Sequence, residues 1–141
     1  QSTHDLGNAD IVLVGVSRTS KTPTCIYLAN RGLKAANVPV IPTIHLPGVF
    51  ETLDGRSDPL IVGLTTDPKR LVQVRRNRLR LLDHNDDTDY VDPETVRDEV
   101  ATARRLFSDR EWPVIDVTRR SIEETAATIL QILERQRQSD A

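Results

Sequence analysis

Two unbroken apolar runs stand out against a polar background, Ile11-Val12-Leu13-Val14 and Leu60-Ile61-Val62-Gly63-Leu64. Short runs of this kind, rich in β-branched residues and bounded by turn formers, are what a strand covered on both faces requires. The first extends to a strand over Asp10 to Val16. Val38-Pro39-Val40-Ile41-Pro42 predicts a second strand, and its prolines, which donate nothing to a ladder, place it at an edge or a strand end. Trp112 to Val117 is the last strand. Between them the period changes from two to 3.6. A first helix is predicted from about Thr22 to Ala35, with Pro23 in its first turn and Ile26, Ala29 and Leu33 on one stripe. Asp67-Pro68 is a cap followed by a helix-starting proline, and the helix over about 68–82 carries Leu71, Val74, Leu79 and Leu82. Asp92-Pro93-Glu94 repeats that signal and opens a helix to about Ser108, with Val96, Val100, Ala103 and Phe107 on its inner face. Ser121-Ile122-Glu123-Glu124 is a capping box, and Ile122, Ala126, Ile129, Leu130 and Leu133 form the stripe of a final helix. Residues 43–59, broken by Pro47-Gly48, Gly55 and Pro59, read as a loop in which Leu46, Val49, Phe50 and Leu53 form one docked turn. Residues 83–91 read as an acidic, polar connection.

The order β-loop-α-β-(loop)-β-α-α-β-α predicts the α/β class: a parallel sheet with helices on both faces. Right-handed crossovers then bring the loops at 15–22, 65–67 and 117–120 to one edge, where ligands bind in open α/β sheets. The expected organisation is a linker or the remnant of a preceding region over 1–9, one domain over 10–138 and a tail at 139–141. Composition changes this picture little. The chain has 141 residues, 38% hydrophobic and 28% charged, enough for one core. A net charge of −2 gives no electrostatic case for nucleic acid or an anionic membrane. The single cysteine, Cys25, excludes an internal disulfide and fits a reducing, cytoplasmic setting. No apolar run reaches spanning length and no signal-peptide pattern opens the chain. A start at Gln1 with no methionine reads as a piece of a longer protein.

The chemistry concentrates where the first strand ends. Gly15-Val16-Ser17-Arg18-Thr19-Ser20-Lys21-Thr22 fits a phosphate-binding loop, with Ser20 where a second glycine is usual. Backbone N–H groups of such a loop, at a helix N-terminus, face an anion that the helix dipole also favours. Lys21 would neutralise the outer phosphates and the Thr22 hydroxyl would hold Mg²⁺. This motif makes the expected fold P-loop kinase-like. Serine lacks the backbone freedom of glycine, so the loop is expected to be reshaped, which suits a donor whose reacting phosphate is β and not γ.

Further residues carry the argument beyond a generic loop. Gly15 to Thr24, then Ile26-Tyr27-Leu28-Ala29 and Lys34-Ala35-Ala36-Asn37-Val38-Pro39, resemble the regulatory proteins of pyruvate, phosphate dikinase, which share a family with the regulators of phosphoenolpyruvate synthase. Val62-Gly63-Leu64, Asp67-Pro68 with Arg70, Gln73 to Arg78, Tyr90-Val91 and Trp112 to Thr118 with Ser121 to Glu124 extend the resemblance over about residues 9–135. It implies a bifunctional enzyme. Such an enzyme phosphorylates a threonine of the dikinase with ADP as donor, and reverses this with phosphate, releasing pyrophosphate. The Ser-Lys-Thr-Pro-Thr and Asn30-Arg31-Gly32 wording is more like the dikinase branch than the synthase branch. The expected partners are therefore dikinase or synthase, phosphate and pyrophosphate, with no nucleic acid and no membrane; a homodimer stays open.

The acceptor hydroxyl needs a base or an orienting carboxylate. Asp67, at a strand end, is the first candidate and Asp116 the second, although Asp67 would serve equally as a helix cap and Asp116 as a turn-orienting residue. Asp10 is expected at the other end of the sheet. Arg18 is either a phosphate contact or a solvated loop charge. Arg75 and Arg78, at i, i+3, either clamp phosphate or pyrophosphate or belong to a solvated face. Arg119-Arg120 are either nucleotide contacts or surface charges. His4, His45 and His84 lack ligand spacing for zinc. Cys25, Trp112 and Tyr27 read as packing residues. Two other functions use the same features, a small-molecule P-loop kinase and a non-catalytic nucleotide-sensing module.

Overall fold

In the computed structural model the two apolar runs are the two central strands of a four-stranded, all-parallel sheet ordered β2-β1-β3-β4. The structure describes residues 9–16, 18–40, 59–81 and 88–139. The elements are β1 (Ile11–Gly15), α1 (Lys21–Asn30), β2 (Ala35–Pro39), β3 (Leu60–Thr65), α2 (Pro68–Leu81), α3 (Thr88–Val91), α4 (Pro93–Asp109), β4 (Val114–Asp116) and α5 (Ile122–Ser139). This is the expected α/β class. The expectations for the 1–9 arm short of Ala9, Ser17, Ile41 and Pro42, the docked turn in 43–59, Leu82, the acidic run 83–87, the three histidines and residues 140–141 lie outside the described residues.

The alternation of side chains along β1 and β3 divides the core into two layers. Val12, Val14 and Ile61 pack with Leu71 and Val72 of α2 and with Val96, Val100, Ala103 and Phe107 of α4. Ile11, Leu13, Leu60, Val62 and Leu64 pack on the other face with Cys25 and Leu28 of α1 and Ala126, Ile129 and Leu133 of α5. Gly63 faces the first layer, and a Cβ there would lie 2.5 Å from the Phe107 ring. The missing side chain therefore lets α4 approach β3. Phe107 also meets Trp112, with ring centroids 6.3 Å apart.

Local signals hold where the chemistry of the cap is explicit. Asp92 accepts from the Thr95 N–H at 3.0 Å. Ser121 and Glu124 exchange reciprocal bonds of 3.1 Å. Helix α1 departs from expectation: it ends at Asn30, not near Ala35. Gly32 sits at φ 87°, its N–H bonds the Ala29 carbonyl, and the Leu33 N–H bonds the Leu28 carbonyl. This is a left-handed stop that glycine makes at no steric cost. The early stop moves β2 forward to Ala35, in register with Ile11. The buried face of α1 is then Lys21, Thr24, Cys25 and Leu28, whereas Ile26 and Ala29 of the expected stripe are exposed. A helical turn, α3, occupies 88–91 where a connection was expected.

The chain passes from β1 outward to β2, then returns across β1 to β3. The order reverses between β1 and β3, and the crevice outside their carboxyl ends is the switch point where such sheets bind ligands.

Candidate functional site

The turn after β1 is tight. A Cβ on Gly15 would lie 2.7 Å from Thr19 Oγ1 and 2.8 Å from the Leu64 carbonyl oxygen, so only glycine fits against β3. Buried Thr19 donates its hydroxyl to the Val16 carbonyl at 2.9 Å and closes the loop. Arg18 and Ser20 both take left-handed backbone, at φ 69° and 65°. Ser20 takes the conformation a glycine would take, at a cost of about 1–2 kcal/mol. Ser20 is the N-cap of α1 yet makes no side-chain cap bond, and the first turn holds no acidic residue. The positive end of α1 is thus capped neither by its N-cap side chain nor by an acid of its first turn.

Lys21 begins α1 and is buried, its Nζ donating to the Val16 carbonyl at 2.6 Å and facing Thr19 Oγ1 at 3.4 Å. Both partners are neutral. Burial, the Arg75 guanidinium and, more weakly, Arg18 lower the ammonium from 10.5 to about 8, against a small opposing effect of Cys25. A buried cation with no counter-ion among the described residues, at the N-terminal end of a helix, is a place that an anion would stabilise. Thr22, next in the chain, is exposed.

A second set of polar groups lies at the ends of β3 and β4, where Thr65 is in register with Asp116. Thr118 donates its N–H at 2.9 Å and its hydroxyl at 2.5 Å to Asp116 Oδ1. With its one proton committed, the Thr118 oxygen accepts from the Asp67 N–H at 2.8 Å and from the Thr66 hydroxyl at 3.2 Å. Burial raises the Asp116 carboxyl, but the Thr118 bonds and the nearby Arg104 and Arg120 outweigh it and hold the group below the usual range. Asp67 Oδ2 accepts from the Arg70 N–H at 3.3 Å, the cap of α2, and its side chain stays exposed. Both carboxylates thus stand at the carboxyl edge, each oriented by the turn it caps.

The remaining candidates separate. Arg75 is 1% exposed and binds Glu99 through both Nη atoms, at 3.0 and 2.9 Å. Its Nη1 also donates to the Tyr90 carbonyl, and its guanidinium lies 4.6 Å from the Tyr90 ring centroid. Arg78 is exposed, so the structure does not bring the two together as a clamp. Arg120 reaches Thr128 Oγ1 at 2.9 Å, and Arg119 is exposed. Asp10 lies at the opposite end of the sheet, accepting from the Lys34 N–H at 2.8 Å. Burial pushes the Cys25 thiol up to about 11, which suits packing and not reactivity. Tyr27 is half-buried and accepts from Arg31 Nη2 at 2.8 Å. Among the described residues no group of three His, Cys, Asp or Glu could hold a metal. No helix there is long and apolar enough to cross a membrane. Sequence reasoning missed Thr65, Thr66, Arg104 and the Thr118 network; the one signal was a threonine directly after Leu60 to Leu64 and after Val114 to Val117.

A family model described as kinase/pyrophosphorylase matches residues 1–130. A relative from Caulobacter vibrioides is 58% identical over 134 residues, 94% of this chain and 41% of the relative. One from Paramagnetospirillum magneticum is 60% identical over 127 residues, 90% of this chain and 40% of the relative. One from Rhizorhabdus wittichii is 60% identical over 132 residues, 94% of this chain and 47% of the relative. All three are named as pyruvate, phosphate dikinase regulatory proteins, and this chain spans less than half of their length. The resemblance carried by Gly15 to Thr24 and by the later segments is thereby borne out, and the chain belongs to the kinase/pyrophosphorylase family.

Proposed function

We propose that this chain is the nucleotide-binding part of a bifunctional regulator of pyruvate, phosphate dikinase. In one direction a threonine hydroxyl of the dikinase attacks the β-phosphorus of ADP, AMP leaves, and the hydroxyl proton passes to a base. In the other, a phosphate oxygen attacks the phosphothreonine, the threonine hydroxyl is restored, and pyrophosphate leaves. Phosphoryl transfer needs positioning and charge neutralisation more than covalent help. The observation that carries the reading is Lys21: a buried ammonium whose partners among the described residues are neutral, at the N-terminus of α1, which no side chain of its N-cap residue caps, beside the switch point. The names of the relatives favour dikinase over synthase as the target.

In this reading residues 15–22 form a P-loop around the two phosphates of ADP, and Lys21 bridges the outer one. The exposed Thr22 hydroxyl at the first turn of α1 fits Mg²⁺ bound mainly by phosphates and water, and the ion supplies charge neutralisation when bound. Asp67 is the candidate base or orienting carboxylate. One of its oxygens caps α2 and Oδ1 has no hydrogen bond among the described residues. Asp116 is bound by Thr118 and steadies the edge.

The test is calorimetric titration of the chain with ADP, ATP and AMP in Mg²⁺, beside Lys21→Ala, followed by transfer from ADP labelled at the β-phosphate to dikinase. Selective ADP binding that disappears in the variant, with label moving to a dikinase threonine, is expected. Equal or tighter binding of ATP, or ADP binding unaffected by Lys21→Ala, overturns the reading.

A further inference from the structure

Arginines at this edge differ in what holds them. Arg75, the one the sequence singled out, is neutralised by Glu99. Arg104 is not. It projects from α4, two turns beyond Val96, and donates Nε to Thr65 Oγ1 at 2.9 Å, with Nη2 pointing at the Thr66 carbonyl at 3.5 Å. Thr65 and Thr66 are buried and close β3 at the switch point, immediately before Asp67. The inner edge of the guanidinium is therefore docked on two neutral oxygens, and among the described residues Arg104 makes no ion pair. Its Nη1 carries no hydrogen bond there, which leaves the outer edge, Nη1 with Nη2, as a planar pair of donors. That geometry matches two oxygens of a tetrahedral anion. The negative group nearby, Asp116, has Oδ1 taken by both Thr118 donors and is shared with Arg120.

We infer that Arg104 is an oxyanion-binding residue of this site, seating a phosphoryl group at the β3 and β4 ends, apart from the donor phosphates held by residues 15–22. The inference rests on the reading that the edge handles phosphoryl transfer. The ligand is a phosphate dianion, which arrives either as inorganic phosphate or on a phosphorylated threonine. Thr65 is a positioning residue: its hydroxyl fixes the guanidinium plane without touching the ligand.

The chain, Arg104→Gln, Arg104→Lys and Thr65→Val are titrated separately with inorganic phosphate, with a phosphothreonine peptide and with ADP, each variant's thermal midpoint being checked. For whichever phosphate source uses the site, Arg104→Gln weakens binding about tenfold or more and Arg104→Lys nearly as much, since an ammonium cannot both dock on Thr65 and present a fork. Thr65→Val weakens it about threefold to fivefold with the charge retained. ADP affinity stays within about twofold in all three, because the donor loop is untouched. Loss with only one probe identifies the source. Unchanged affinity for both probes in Arg104→Gln, no binding of either by the unmodified chain, or an equal loss of ADP overturns the inference. Failure of the donor-site reading shows separately, as ADP binding that is absent or insensitive to Lys21→Ala.

Discussion

Replacing Lys21 by methionine should separate the stability of this fold from its chemistry. The ammonium is buried, bonded to a carbonyl and faced by a hydroxyl, and lowered from 10.5 to about 8 chiefly by burial and by Arg75. A drop of that size corresponds to about 3 kcal/mol by which the folded state disfavours the charged form. Below about pH 8 both states hold the proton, and the folded protein bears this cost in full. Between about 8 and 10.5 the folded state releases the proton first, the unfolded state binds more, and stability rises with pH. Methionine has similar length and no charge. Its stability relative to the unmodified chain is therefore greatest near neutrality, and the gap narrows by about 2–3 kcal/mol between about pH 7 and pH 10. Urea unfolding at half-unit pH steps measures this. A gap that stays constant within about 0.5 kcal/mol, or widens with pH, would refute the picture of an unneutralised buried ammonium. The same variant should lose ADP affinity, the trade expected where a destabilising charge is kept for binding.

Three further outcomes follow from the packing. Glu99→Ala leaves the Arg75 guanidinium buried without its bidentate partner and should cost about 3–5 kcal/mol by urea unfolding, whereas Arg75→Met with Glu99→Leu should be close to neutral. Gly63→Ala forces a Cβ to within 2.5 Å of the Phe107 ring. It should cost about 1–3 kcal/mol, relieved in part by Phe107→Leu in a double-mutant cycle. Ser20→Gly removes a left-handed strain of about 1–2 kcal/mol and adds about 0.5–1 kcal/mol of unfolded-chain entropy, for a net gain of up to about 1.5 kcal/mol. Ser20 already holds a backbone that glycine favours, so the ADP/ATP preference should not change; a shift in preference would support the idea that serine reshapes the loop.

Much of the architecture was legible because its causes are local or periodic. Ile11 to Val14 and Leu60 to Leu64 need cover on both faces, so they read as central strands whatever surrounds them. The Asp92 cap and the Ser121–Glu124 box join residues three apart, and both formed as the spacing demands. The stop at Gly32 was also present in the sequence as a glycine after Asn30-Arg31; continuing the stripe to Leu33 obscured it. The family was legible from contiguous residues, beginning with Gly15 to Thr24. The partners of the site were another matter. Arg75 and Arg78 look like neighbours on one helix, and nothing near them in the chain says that Glu99 will claim the first. The Thr66–Thr118 contact spans 52 positions and Arg104–Thr65 spans 39. The sequence by itself determined the central strands, the caps and the position of the loop after β1, since hydrophobic periodicity and short-range hydrogen bonding act within a turn or a strand. Only the tertiary structure decided that Arg75 is paired with Glu99, that Arg104 docks on Thr65, and how buried Lys21 becomes, because desolvation and charge pairing depend on what other elements bring alongside.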